Sequence, residues 1–244
     1  VPVIDVTHAG RVATITLNRP DKRNALRSED FAALAAALEH LGADPEVRVV
    51  ILTGAGGAFC AGADLKSLAQ ATASPLARIH QGHVAARALV HFPKPTIAAI
   101  NGVAVGAGLN LALACDLAVA GEHAMASEIF IERGLTLDYG GSALLVQRVG
   151  LHRAKELAFF ATRLVGAELL EWGLVNTVVP DDEVLAAASA WAEDLATRSP
   201  TALALTKRLL DAAASSLAQA VESEVIAQVA ALSDPSIHET LLSF

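Results

Sequence analysis

The sequence predicts an α/β core followed by a helical C-terminal region. Three observations carry this. Short runs of apolar and β-branched residues alternate with segments of helical spacing, the pattern of repeated strand–turn–helix units. Two of the strands, Val49-Val50-Ile51-Leu52-Thr53 and Thr96-Ile97-Ala98-Ala99-Ile100, each run into a glycine/alanine-rich turn that opens a helix. From about Leu151 the chain becomes a series of alanine-rich helical segments punctuated by Gly166, Gly173, Pro180 and Ser199-Pro200.

The elements follow in order. Residues 3–6 and 11–17 flank His8-Ala9-Gly10 and read as a hairpin. Residues 18–24 are loop. Ser28 has the chemistry of an N-cap for a helix reaching about Gly42, with Phe31, Leu34, Leu38 and Leu41 at helical spacing. Asp44-Pro45 ends it, and a strand over 47–53 follows. A helix is expected over 75–91, closed by Pro93 and Pro95, and then a strand over 96–100. A helix from about 106 to 114 and a strand over 116–120 come next. Further helices are expected over 151–162, 167–172, 181–198, 199–214 and 216–232.

Composition narrows the function classes. A chain of 244 residues, 53% hydrophobic and 18% charged, is long enough for one sizeable core. A net charge of −8 with no Lys/Arg run argues against nucleic acid and anionic membrane surfaces as partners. The longest apolar stretches are interrupted by Asn101, Asn110 and Asp116, too soon for a membrane span. No basic stretch followed by an apolar run opens the chain, so no signal peptide is expected. Cys60 and Cys115 lie in apolar surroundings without metal-ligand spacing, and read as reduced core thiols of a cytoplasmic protein. His80 and His83 stand three apart on a helix with no acidic or cysteine partner at ligand spacing. They read as packing or surface residues, and no metal site is expected.

Common signatures are also excluded. Residues 54–59 lack the third glycine of a dinucleotide fingerprint, and no Gly-Lys-Ser/Thr follows for a P-loop. Gly140-Gly141-Ser142-Ala143-Leu144 lacks the closing glycine of a nucleophile elbow. The two turns remain: Gly54–Lys66 after the first strand and Asn101–Gly108 after the second. With almost no side chains, they can bring bare N–H groups close to a ligand, and a helix N-terminus adds unpaired donors. Two N–H groups on one oxygen are what an oxyanion hole requires. An ordinary pair of tight connections fits the local pattern equally well.

The loop over 20–26, the runs over 57–66, 95–116 and 134–150, and the segment over 173–180 occur in this order at characteristic separations. Together they resemble the enoyl-CoA hydratase/isomerase family, also called the crotonase family, over nearly the whole chain. The resemblance implies a crotonase-like spiral of ββα units over 1–180 that carries an acyl-CoA site. It implies a helical oligomerisation region over 181–244, giving a homotrimer or a dimer of trimers. The ligand would be a coenzyme A thioester, present as substrate, with no separate cofactor.

Residue by residue, the family's two backbone donors fall on Ala63 and on Ala107, next to Gly106. Lys22 and Arg23 resemble the basic pair that meets the coenzyme A phosphates. Ala25, Ala61 and Leu65 match contacts to its pantetheine and adenine, and Asp64 reads as a cap for the following helix. Helix 75–91 and loop 69–74 are expected to wall the acyl pocket.

The two glutamates of the family's hydratases fall on Asn110 and Phe130, neither of which can exchange a proton near neutral pH. Asp138 matches instead the aspartate with which isomerase members shuttle a proton. Leu135, Leu137, Phe130 and Tyr139 surround it in sequence, and desolvation by such neighbours would favour its neutral form. As a turn residue before Gly140-Gly141, aspartate is also well suited. Glu128 and Glu132 flank Phe130 and are expected to be solvated or ion-paired, unless a shifted loop turns one into the pocket.

The expected activity is therefore double-bond isomerisation of an enoyl-CoA through an enolate. The alternatives are a hydratase whose water is oriented by Asn110 and Glu128 or Glu132, and a non-catalytic acyl-CoA-binding oligomer.

Overall fold

The computed structural model describes residues 2–70 and 75–212. The chain opens with β1 (Ile4–Ala9), β2 (Val12–Leu17), α1 (Ser28–Ala43), β3 (Val49–Gly54), β4 (Ala58–Cys60), α2 (Leu65–Gln70) and α3 (Pro75–Val90). Then come β5 (Thr96–Ile100), β6 (Val103–Val105), α4 (Ala107–Leu113), β7 (Leu117–Gly121) and β8 (Met125–Ser127). The described part closes with α5 (Gly141–Phe160), β9 (Leu164–Val165), α6 (Ala167–Glu171), β10 (Thr177–Val179), α7 (Val184–Ala196) and α8 (Pro200–Ala212).

The strands fall into two sheets. The long one runs β1-β2-β3-β5-β7-β10 and the short one β4-β6-β8-β9. Beyond the β1–β2 hairpin every long-sheet pair is parallel, and only β8–β9 is antiparallel in the short sheet. The pairs β3/β4, β5/β6 and β7/β8 each place one strand in either sheet before the chain moves on. This is the spiral of ββα units that the resemblance implies.

The central strands β3, β5 and β7 are largely apolar because both of their faces are buried, whereas the edge strand β1 carries Asp5, Thr7 and His8 and is partly exposed. Side chains alternate along β3: Val49 and Ile51 join Ile97, Ala99 and Val119 under Val184, Ala188 and Ala192 of α7. Val50 and Leu52 face the other way, into the main core with Phe31, Leu34, Leu38 and Leu41 of α1. Helix α8 is tied to the sheet by Lys207, whose ammonium lies 2.9 Å from Asp116 Oδ2. The same carboxylate oxygen accepts from the Thr96 N–H at 2.7 Å and the Thr96 hydroxyl at 2.9 Å. No helix among the described residues is long and apolar enough to cross a membrane.

Several local expectations need correction. Ser28 is the first residue of α1 rather than its cap. Arg27 holds the cap position, where its N–H donates to Asp30 Oδ2 at 2.9 Å. A carboxylate three residues into the helix accepts that bond more strongly than a serine hydroxyl could. Non-helical backbone at Gly150 (φ 75°) divides α5 into two helical segments, so the helix expected from Leu151 forms, ending at Phe160, and a segment from Gly141 that was not expected precedes it. The segment 181–198 splits into the 3-10 turn Asp181–Glu183 and α7. The helix expected over 216–232 lies outside the described residues, as does 71–74 of the loop expected over 69–74, whose first two residues instead end α2.

Candidate active site

The two glycine/alanine turns meet. Strand β4 pairs with β6, so the segments leaving them lie side by side. Gly62 (φ 87°) is so close to the second turn that a methyl group on it would lie 2.9 Å from Val105 O and 3.4 Å from Ala107 N. The first turn is pinned by its neighbours. Leu26 N–H donates to Gly62 O at 2.9 Å, Asp64 N–H to Leu26 O at 2.8 Å, and Gly62 N–H to Cys60 Sγ at 3.4 Å. In the second turn Gly106 N–H donates to Ser127 O at 2.9 Å, and Asn110 N–H to Gly106 O at 3.0 Å. Among the described residues this leaves the N–H groups of Ala63 and Ala107 without an acceptor.

Both alanines line a cavity of about 580 Å³. Arg23, Ala61, Asp64, Leu65, Gly106, Phe130, Glu132 and Asp138 line it too, so most of the residues singled out in the sequence converge here. Its apolar wall includes Phe31 of α1 and Phe130, whose ring lies against Gly106. Asp64 caps α2, its Oδ1 accepting from Ser67 N–H at 3.2 Å, and pairs with Arg19 at 3.1 Å. The Ser67 N–H first, then Arg19, holds its carboxyl below the usual range.

Asp138 lies between the 3-10 turn Ile129–Arg133 and α5, just before two left-handed residues, Tyr139 (φ 52°) and Gly140 (φ 83°). Its backbone oxygen accepts from Gly141 N–H and from Asn110 Nδ2, both at 2.9 Å. Its Oδ1 accepts from Tyr139 N–H at 2.9 Å and pairs with His83 Nε2 of α3. The wholly apolar enclosure expected for Asp138 is therefore not what forms. An imidazole meets the carboxylate, and its side chain keeps 21% exposure. The Tyr139 ring packs 4.9 Å from Phe31 and 5.4 Å from His83, closing the far side.

His83 is the residue that sequence reasoning missed. Its partner is 55 positions away, and nothing at local spacing marks the pair. The packing role expected for it understates its contact with Asp138, the cavity carboxylate on the isomerase position.

Other residues are placed differently from expectation. Lys22, Ala25, Asn110, Glu128 and Leu137 do not line the cavity. Lys22 is exposed beside Asp21, and Ala25 gives its carbonyl to Arg19 at 2.6 Å. Asn110 is fully buried on α4 and braces Asp138 rather than facing a ligand. Glu128 was expected to be solvated or ion-paired; it is fully buried, with Asn110 Nδ2 3.5 Å away. It sits at the end of β8, whose residues face inward, and burial pushes its carboxyl up to about 8. Glu132 fits the ion-paired expectation, meeting Arg163 at 3.2 Å on the cavity wall.

Cys60 and Cys115 are free and buried, and desolvation pushes each thiol up to about 12, so both stay protonated. Among the described residues no three His, Cys, Asp or Glu side chains group as a metal site.

Among the described residues, fold and site define an α/β spiral protein with two unpaired backbone donors and the Asp138 carboxylate around a shared cavity. A family model for enoyl-CoA hydratase/isomerase matches residues 7–244. The chain is 42% identical over 205 residues to a putative enoyl-CoA hydratase of Thermus thermophilus, covering 82% of this chain and 81% of that one. It is 37% identical over 207 residues to the 1,2-epoxyphenylacetyl-CoA isomerase of Escherichia coli, covering 83% and 79%. The crystal structure of an enoyl-CoA hydratase from Bacillus anthracis matches it with a TM-score of 0.96 at 33% identity, covering 100% and 96%. This chain belongs to the enoyl-CoA hydratase/isomerase family of enzymes.

Proposed function

We propose that the chain is an acyl-CoA isomerase that converts a 3-enoyl-CoA to the 2-enoyl-CoA. The observation that carries this is the content of the cavity. Asp138 shares it with the N–H groups of Ala63 and Ala107, while the resemblance puts the hydratase glutamates at Phe130 and Asn110, neither of which can exchange a proton.

The thioester oxygen accepts from the two N–H groups. Asp138 takes a proton from the α-carbon, and the electron pair moves through the carbonyl carbon to that oxygen. Two preorganised donors stabilise the enolate, each worth about 2.7–4 kcal/mol where such donors have been removed. The enolate collapses, the double bond moves to the α,β position, and the proton returns from Asp138 to the γ-carbon. No proton is gained or lost. The thioester is the electron sink, and no metal or redox cofactor takes part. Arg23 at the mouth suits the coenzyme A phosphates. The same reading carries with it a trimer or dimer of trimers and a cytoplasmic setting, which fits two protonated core thiols.

Hydration is the competing reading. It would need a carboxylate to activate water, and Glu128 is buried away from the cavity while Glu132 is held by Arg163. Product analysis separates the two. With a 3-enoyl-CoA the protein should form the 2-enoyl-CoA and accumulate no 3-hydroxyacyl-CoA. Rapid water addition to crotonyl-CoA without double-bond migration would overturn the proposal.

A further inference from the structure

We infer that Glu128 is a positioning residue for Asp138, acting through the side-chain amide of Asn110; this rests on the isomerase reading above, in which Asp138 is the base. Three groups form a chain. Asn110 Nδ2 donates to the Asp138 backbone oxygen at 2.9 Å, and Glu128 Oε2 lies 3.5 Å from the same nitrogen. Asn110 and Glu128 are both fully buried. The amide has little room to turn, because a methyl group on Gly141 would lie 2.7 Å from Asn110 Oδ1.

What the amide meets fixes its orientation. The Asp138 oxygen can only accept, so Nδ2 faces it. Asn110 Oδ1 and Glu128 Oε1 are then left as buried acceptors with no donor among the described residues. A carboxylic acid O–H supplies the missing donor, and a carboxylate supplies none. The two forms of Glu128 therefore act oppositely on Asn110. The acid holds the amide by its oxygen and leaves Nδ2 on Asp138. The carboxylate draws Nδ2 toward itself, because charge-assisted bonds settle at about 2.7–2.9 Å and the gap is 3.5 Å. The two N–H bonds of an amide diverge, so this motion loosens the brace on Asp138.

Burial pushes the Glu128 carboxyl up to about 8, so the acid predominates near neutrality and the carboxylate above that value. No neighbouring charge rivals it. Strands β6 and β9 and helix α4 carry no charged side chain, and those of α5 are exposed. Asp138 meets His83, Glu132 meets Arg163, and Arg133 is exposed. Burial keeps the Tyr139 phenol and the Cys60 thiol protonated. Among the described residues none of these groups bonds to the Glu128 side chain.

Tyr139 directly follows Asp138 and is the only tyrosine of the chain, so its ring reports on this loop without any turnover. The experiment follows two readouts from about pH 6 to about pH 10 in wild type, Glu128→Gln and Asn110→Ala. One is the NMR signal of isotope-labelled tyrosine; the other is kcat and KM with 3-enoyl-CoA. In wild type the Tyr139 signal should step and kcat should fall about tenfold, both centred near 8, with KM unchanged. Glu128→Gln keeps a donor for Asn110 but cannot ionise, so it should show neither change. Steps that come from other groups, His83 among them, persist in both proteins. Asn110→Ala should turn over about tenfold more slowly near neutrality and lack the further fall. The same step and the same fall in Glu128→Gln as in wild type would overturn the inference and leave the isomerase reading standing. A wild-type fall in Asn110→Ala would overturn the route through the amide. A Tyr139 step lost in Glu128→Gln, with no 2-enoyl-CoA formed by wild type, would keep the positioning of the loop and overturn the isomerase reading.

Discussion

Glu128 holds a carboxyl where the charged form is costly. It is fully buried, and its nearest donor is Asn110 Nδ2 at 3.5 Å. Burial pushes it from 4.5 to about 8, so near neutrality it is mainly the acid. The acid form also supplies a donor to a cluster in which Asn110 Oδ1 and Glu128 Oε1 otherwise lack partners among the described residues. The unfolded chain releases this proton near the ordinary carboxylate value, and the folded chain holds it to higher pH. Stability from this group is therefore full at low pH and declines as pH rises between the two values. Tenfold in proton affinity is worth about 1.4 kcal/mol. Wild type should lose several kcal/mol between about pH 5 and about pH 8 that Glu128→Gln retains, measured by urea unfolding at each pH. Equal pH dependence in the two proteins would contradict the assignment. Little of this was legible in the sequence. A glutamate beside a three-residue strand reads as surface, and only the packing of β8 between β6 and β9 turns it inward.

At the scale of elements, the long strands announce themselves and the short ones do not. Residues 96–100 read directly as β5 because both sheet faces are buried and every position is apolar or small. Strands β4, β6 and β8 are three residues each, set in glycine and alanine, and locally look like turn. Yet those short strands place the two turns against each other. Gly62 is the point of closest approach, so Gly62→Ala should combine left-handed backbone strain with a clash against the second turn. Strain at such a position costs about 1–3 kcal/mol. Gly57 is a matched control, with φ 75° and nothing within 4 Å of the added methyl. Gly57→Ala should show the strain alone and normal turnover, while Gly62→Ala loses more stability and most activity. Equal effects on denaturation midpoint and on kcat/KM would mean that the turns are not held together at Gly62.

Over the whole molecule, the spiral delivers groups distant in sequence to one cavity. The donors come from the turns after β4 and β6 and the carboxylate from the loop before α5, while His83 of α3 meets that carboxylate without lining the cavity. The donors and Asp138 were legible because each sits in a recognisable run: 57–66, 95–116 and 134–150. The imidazole of His83 was not, because its contact with Asp138 forms only once α3 packs against that loop. In the proposed enolate chemistry the base is Asp138, since Asp64 is held by Ser67 N–H and Arg19 and Glu132 by Arg163. The most direct measurement is the rate of conversion of a 3-enoyl-CoA to the 2-enoyl-CoA by Asp138→Asn, alongside acyl-CoA binding. Asparagine keeps the shape and the brace from Asn110 but cannot hold a proton. The expected result is a fall in kcat of about 10²–10⁴-fold with binding retained, the range for loss of a general base. Turnover near that of wild type would contradict the account.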